Sequence, residues 1–247
     1  MKHNYRLRIC YDGTRYNGWQ KQGNTDCTIQ GLLEDELEKY LQEKVDLKGS
    51  GRTDAGVHAL CQVANFYIRK DVECSLLKQH LNRILPEDIR ILEVDEVSID
   101  FHSRKSAVEK TYEYCIWNSN NKNVFYRRYA YSVESPLNIR KMEQAAKLLC
   151  GTHDFLGFSS MKKSKKSTVR TVTKISFEQR KELLAISFTG SGFLYHMVRI
   201  MAGTLIEVGL EKKEPEAVLE VLEKRERVLA GMTVPARGLR LVSVNYM

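Results

Sequence analysis

The chain has 247 residues, 43% of them hydrophobic, which is enough for a full core in one large domain or two small ones and excludes wholesale disorder. Lysine and arginine total 39 against 31 acidic residues, a formal charge of +8 that is compatible with a polyanionic partner without requiring one. No apolar run approaches the ~18 residues of a membrane helix, and Met1-Lys2-His3-Asn4-Tyr5-Arg6 leads into alternation rather than an apolar leader, so a cytoplasmic protein without membrane contact is expected.

Tyr5, Leu7, Ile9 and Tyr11 alternate with Arg6, Arg8, Cys10 and Asp12, the period of a strand with one buried and one partly charged face. Asp12 to Gln20 is a polar loop punctuated by glycine and carrying Arg15, Tyr16 and Trp19. Thr28 is a helix N-cap for Ile29, Leu32, Leu33, Leu37, Tyr40 and Leu41 at helical spacing. A strand-like piece at 45–48 then leads into Lys48-Gly49-Ser50-Gly51-Arg52-Thr53-Asp54-Ala55-Gly56-Val57-His58-Ala59. Its glycines mark backbone that turns tightly or lies close to something, and Asp54 stands two residues after Arg52, a cation able to hold it ionised. On spacing alone an ordinary turn is the commoner reading of such a segment.

Residues 60–68 read as a strand. A second helix follows Ser75, with Leu76, Leu77, Leu81 and Ile84 on its apolar face and His80 as a packing histidine; Pro86 stops it. With a strand at 89–97 the first hundred residues run strand, helix, strand, helix, strand, an α+β pattern. The polar connector 101–107 is the candidate boundary.

A strand at 108–117 places Lys110, Tyr112, Tyr114 and Ile116 on one face, and a helix through Ile139, Met142, Ala145, Ala146 and Leu149 ends at Gly151. Arg127 and Arg128, flanked by Tyr126 and Tyr129, combine phosphate-binding charge with stacking surface. Lys162, Lys163, Lys165 and Lys166 form a basic loop for which a solvated surface and an anion contact are equally good readings; the segment 157–164 does not make a P-loop, because Lys162 stands where the second glycine belongs. Two strands at 168–178 and 183–189 precede an apolar helix expected over 193–208, on one face of which His196 and Arg199 would lie. A helix at 214–226 and a strand through Leu239, Leu241, Val242, Val244 and Tyr246 close the chain. The six cysteines form no Cys-x-x-Cys pair and sit beside apolar segments, so buried reduced thiols are expected; the six histidines show no ligand spacing, so neither metal nor cofactor is expected.

Six separated segments together resemble the TruA family of tRNA pseudouridine synthases: Tyr11-Asp12-Gly13-Thr14-x-Tyr16-x-Gly18-Trp19-Gln20, the Gly51–His58 segment, Lys110-Thr111-Tyr112-Glu113-Tyr114, Gly151-Thr152-His153-Asp154-Phe155, Phe193-Leu194-Tyr195-His196-Met197-Val198-Arg199, and Pro235-Ala236-x-Gly238-Leu239-x-Leu241-x-x-Val244-x-Tyr246. Ser50, where relatives often carry a small apolar residue, and the lysine-rich loop depart from the family pattern. The resemblance implies the α+β pseudouridine synthase fold: two α/β subdomains, 1–103 with the catalytic Asp loop and 104–247, whose mixed, mainly antiparallel sheets flank an RNA-binding cleft.

It also implies the chemistry. Uridines at tRNA positions 38, 39 and 40 in the anticodon stem-loop would be isomerised to pseudouridine by a homodimer, with the tRNA spanning both subunits. Asp54 would be the essential carboxylate, attacking the ribose C1′ or assisting a glycal route. Arg52 and Arg199 would hold it ionised, and Arg52 would help displace the base. Tyr112 would pack on the flipped uracil, Leu239 would line its pocket, and Arg15 and His58 are expected to contact substrate. The alternatives are a paralogous synthase acting on another uridine or RNA, a non-catalytic tRNA-binding protein or chaperone, and an Asp-nucleophile phosphotransferase. The last would want a second carboxylate near Asp54, and that loop has none.

Overall fold

The computed structural model describes residues 2–23, 25, 27–161 and 167–247. The basic loop Lys162–Lys166 therefore lies outside the described residues. In chain order the elements are β1 (His3–Tyr11), α1 (Ile29–Leu41), β2 (Lys48–Gly49), β3 (His58–Ile68), α2 (Cys74–Ile84), β4 (Ile89–Val97), β5 (Ala107–Asn118), β6 (Tyr131–Val133), α3 (Ile139–Leu149), β7 (Gly151–Asp154), β8 (Val169–Arg180), β9 (Leu183–Gly190), α4 (Met197–Gly209), α5 (Ala217–Lys224) and β10 (Leu239–Tyr246). The protein is α+β with mixed, mainly antiparallel pairing, as its alternating strand and helix patterns predict. Among the described residues no helix is long and apolar enough to cross a membrane.

The chain forms two compact units, Met1–Val108 with Arg240–Met247, and Glu109–Leu239. In the first, the strand order is β4-β1-β3-β10. β1 runs antiparallel to both neighbours, with Leu7 opposite Ala64 and Val94. β2 adds to β3 antiparallel, and β10 adds parallel, Arg240 opposite His58. The period-two pattern is realised as full burial of Tyr5, Leu7 and Ile9. Thr28 caps α1 by accepting from the Gly31 amide (3.2 Å), and Ile29, Leu33, Leu37 and Leu41, one helical turn apart, are buried.

α2 differs from its expected face. Leu77 and Leu81 are buried, whereas Leu76 and Ile84 stand in solvent. Residues 77 and 81 are one turn apart and share a line; 76 is rotated about 100° from it, whereas Ile84, on the same face as Leu77, is the last residue of the helix. His80 packs against the Tyr40 ring at 4.3 Å between centroids. The connector after β4 belongs to this unit because buried asparagines hold it. Asn4 donates to the Ser98 and Phe101 carbonyls, and Asn65 accepts from the Ser103 amide (2.9 Å). The first unit therefore runs past residue 103 and takes back the closing strand, which differs from a division into two contiguous halves.

In the second unit β7, β8, β9 and β5 pair antiparallel in that order, with β6 parallel to β5. α3 has the predicted extent, and α4 is buried almost all round. α4 starts at Met197, four residues later than expected, because His196 is left-handed (φ +62°) and cannot continue a helix. His196 thus caps α4 rather than sharing a helical face with Arg199. α5 is also shorter than expected. The cysteines are free, but only Cys115 is buried; Cys27 is exposed and the other four are half-buried, so the expectation of buried thiols is corrected. Period-two patterning does not by itself say which face of a strand is covered.

Candidate active site

Asp54 sits in the turn between β2 and β3, and two sets of contacts immobilise that turn. The first comes from β3. Gln62, fully buried, accepts from the Ser50 hydroxyl (2.6 Å) and donates to the Gly51 carbonyl (3.0 Å), while the Ser50 amide bonds the Val63 carbonyl (2.7 Å). The Val57 amide closes the turn on the Asp54 carbonyl (3.1 Å). The turn reading of this segment is therefore right for the backbone, and it leaves the Asp54 carboxylate as a half-buried side chain on a rigid mount. Arg52, two residues before, is exposed.

The second set comes from the end of β1 and the loop after it, 34 to 42 residues upstream. The Tyr11 hydroxyl bonds the Thr53 hydroxyl at 2.7 Å, and the Trp19 amide donates to the Thr53 carbonyl at 3.0 Å. The Gly56 amide donates to the Tyr16 carbonyl. Two glycines permit this approach. A Cβ on Gly13 would lie 2.0 Å from the Val57 oxygen; one on Gly18, which is left-handed at φ +89°, would lie 2.6 Å from the Thr53 oxygen. Burial raises the ionisation of the Tyr11 phenol well above its ordinary range, so it stays a neutral hydrogen-bonding group.

His58 is buried at the start of β3. Its Nδ1 lies 3.1 Å from the Gly13 amide and 3.0 Å from Asp12 Oδ1. Unprotonated, that nitrogen accepts from Gly13; protonated, it donates to Asp12. Either bond ties β3 to the upstream loop. Arg15 is exposed and grips Asp88 through Nε (2.8 Å) and Nη2 (2.7 Å); Asp88 also accepts from the Tyr16 hydroxyl (2.6 Å).

The second unit carries Tyr112, Arg199 and Leu239. Tyr112, on β5, is buried opposite Phe188, and its ring meets Phe193 edge-on at 5.4 Å. Arg199, in the first turn of α4, donates from Nε to the Val234 carbonyl (2.8 Å), which fixes its guanidinium plane. Leu239 is buried at the start of β10. Tyr114 donates to the Pro235 carbonyl (3.0 Å), so β5 and α4 both hold the 234–235 backbone just before Leu239.

A family model described as tRNA pseudouridine synthase matches residues 9–104 and 145–247. The chain belongs to the tRNA pseudouridine synthase family. It is 47% identical over 243 residues to "tRNA pseudouridine synthase A" of Bacillus sp. (strain KSM-64), covering 98% of this chain and 99% of that protein. It is 47% identical to "tRNA pseudouridine synthase A 2" of Clostridium tetani (strain Massachusetts / E88) over the full length of both, and 45% identical over 243 residues to "tRNA pseudouridine synthase A" of Acetivibrio thermocellus, 98% of this chain and 99% of that one.

In this synthase-family chain, the matched residues include the whole Asp54 turn, the loop that clamps it, Arg199 and Leu239. Tyr112 falls in the unmatched stretch. Sequence reading missed Thr53 and Gln62. Both are polar residues at buried positions; Gln62, like Asn65, interrupts an apolar strand, and that was the available signal. Among the described residues, one possible metal-ligand group lies elsewhere: His3, Asp71 and Glu96 bring ligand atoms within 4.8 Å, though both carboxylates are exposed. Ordinary pairing accounts for it, His3 with Glu96 at 2.7 Å and Tyr5 with Asp71 at 3.2 Å.

Proposed function

We propose that this protein isomerises uridine to pseudouridine in the anticodon stem-loop of tRNA, at positions 38, 39 and 40, with Asp54 as the essential carboxylate. The observation that carries the reading is the doubly clamped Asp54 turn, in a chain of the tRNA pseudouridine synthase family. The reaction breaks the N1–C1′ bond, turns the uracil and forms a C5–C1′ bond. C5 loses a proton and N1 gains one, so atoms and electrons balance without an oxidant or reductant. Asp54 acts at the ribose, by attack on C1′ or by assisting loss of the C2′ proton. Such a group works best held rigidly, since displacement of about 1 Å can cost about a hundredfold in rate.

In this reading Arg52 and Arg199 are the cationic partners of the carboxylate, and Arg52, exposed, also takes part in displacing the base; extrusion costs only a few kcal/mol where pairing is weak. Tyr112 packs on the uracil and Leu239 lines its pocket. Arg15 lies where phosphate contact would compete with its bond to Asp88, and His58, buried against Gly13 and Asp12, ties the start of β3 to the upstream loop. The enzyme works in the cytoplasm as a homodimer with tRNA across both subunits.

The test is tritium release from tRNA labelled with [5-³H]uridine. Wild type should release label, and Asp54→Asn should bind tRNA with unchanged affinity but release none. Turnover by Asp54→Asn would refute the assignment.

A further inference from the structure

Between β5 and β6 the chain makes a surface loop in which four large apolar side chains stand in solvent within six residues: Val124 (63% exposed), Phe125 (82%), Tyr126 and Tyr129. Single exposed apolar residues are ordinary; a contiguous group of this kind marks a contact surface. The loop is ordered by its own bonds. Trp117 of β5 stacks on Tyr126 (centroids 5.1 Å apart, planes 18°) and donates from Nε1 to the Asn121 carbonyl at 2.7 Å. Arg127 donates to the Val124 carbonyl (2.8 Å), and the Tyr129 and Ala130 amides both bond the Tyr126 carbonyl (2.9 Å). The loop therefore holds Phe125 outward without a covering neighbour from within itself.

Charge identifies the partner. Lys122, Arg127 and Arg128 are exposed here, and no aspartate or glutamate occurs from Asn118 through Val133. The whole segment lies in the stretch that the family model leaves unmatched. We infer that this loop is an RNA-contact surface: Phe125 and Tyr129 stack on unpaired bases, while Arg127 and Arg128 hold the adjoining phosphates. RNA offers both the flat π faces and the anions that aromatic and guanidinium groups of this kind bind. A second copy docked here about a twofold axis would bring arginine pairs together with no carboxylate from the same segment to offset them. The inference rests on tRNA being the substrate.

The test measures Kd for tRNA across a salt series. Phe125→Ala should weaken binding about tenfold and Phe125→Trp should restore it, since stacking tolerates any aromatic. Arg128→Ala should reduce the slope of log K against log salt by about one. Circular dichroism and melting confirm that each variant is folded. Unchanged Kd and slope would overturn the inference. So would an affinity loss that tracks a fall in sedimenting mass from dimer to monomer, which would make the loop an interface between copies. Wild-type tritium release is read separately: a wild type that binds tRNA through this loop yet releases no label would sink the proposed reaction while supporting the contact.

Discussion

Gly18→Ala tests whether the clamp on the Asp54 turn governs catalysis. The added methyl would stand 2.6 Å from the Thr53 carbonyl oxygen and 3.0 Å from the Asp54 carbonyl carbon, both backbone atoms, and the residue must keep φ near +89°. A left-handed non-glycine residue costs about 1–2 kcal/mol, and forcing a methyl into packed backbone about 1–3 kcal/mol more. The sum, about 2–5 kcal/mol, corresponds to a fall in Tm of about 4–20 °C for a chain of this size. Relief requires the 53–55 backbone to retreat by several tenths of an ångström, which moves Asp54 itself. The expected result is a loss of kcat of tenfold or more at temperatures where the variant is fully folded. Gly23→Ala is the control, because a Cβ there meets nothing within 4 Å. Melting and tritium release are measured on both. A Gly18→Ala protein that melts and turns over like Gly23→Ala would refute the argument that the upstream loop positions the carboxylate.

The buried phenols of Tyr11 and Tyr114 ionise well above the ordinary value of 10.0, in each case chiefly through burial. Above pH 10 the unfolded chain releases these protons while the folded one retains them, so stability falls with rising pH, by at most about 1.4 kcal/mol per pH unit for each group. Tyr11→Phe removes one of them; denaturation midpoints of wild type and variant should converge between pH 9 and 11.5, and parallel curves would contradict the burial argument. Tyr112→Phe keeps the edge-on contact with Phe193 and tests whether the hydroxyl transfers a proton in addition to the ring packing on the uracil: loss of such a group should lower kcat about a hundredfold in the folded variant. A near-normal rate would confine Tyr112 to ring packing.

Local chemistry was legible in the sequence where the determinants are local. Thr28 and the leucines spaced one turn apart define α1, and Ile139 to Leu149 define α3, because capping and the 3.6-residue period act within one element. The Gly51–His58 segment and the loop after β1 were each recognisable as motifs. That they form one object was decided by tertiary structure: Gly13 and Gly18 are glycines because backbone 44 and 35 residues away passes against them, and Gln62 is polar because it holds Ser50 and Gly51. The same holds for α2, where sheet coverage leaves Leu76 and Ile84 outside, and for α4, where a left-handed His196 delays the start. β10 is the clearest case. Its alternation announces a strand, but its parallel pairing with β3, Arg240 beside His58, joins residues 182 positions apart. Periodicity records which residues face a core; it carries no term for which distant strand completes the sheet, and that choice belongs to the backbone hydrogen bonds and packing of the folded chain.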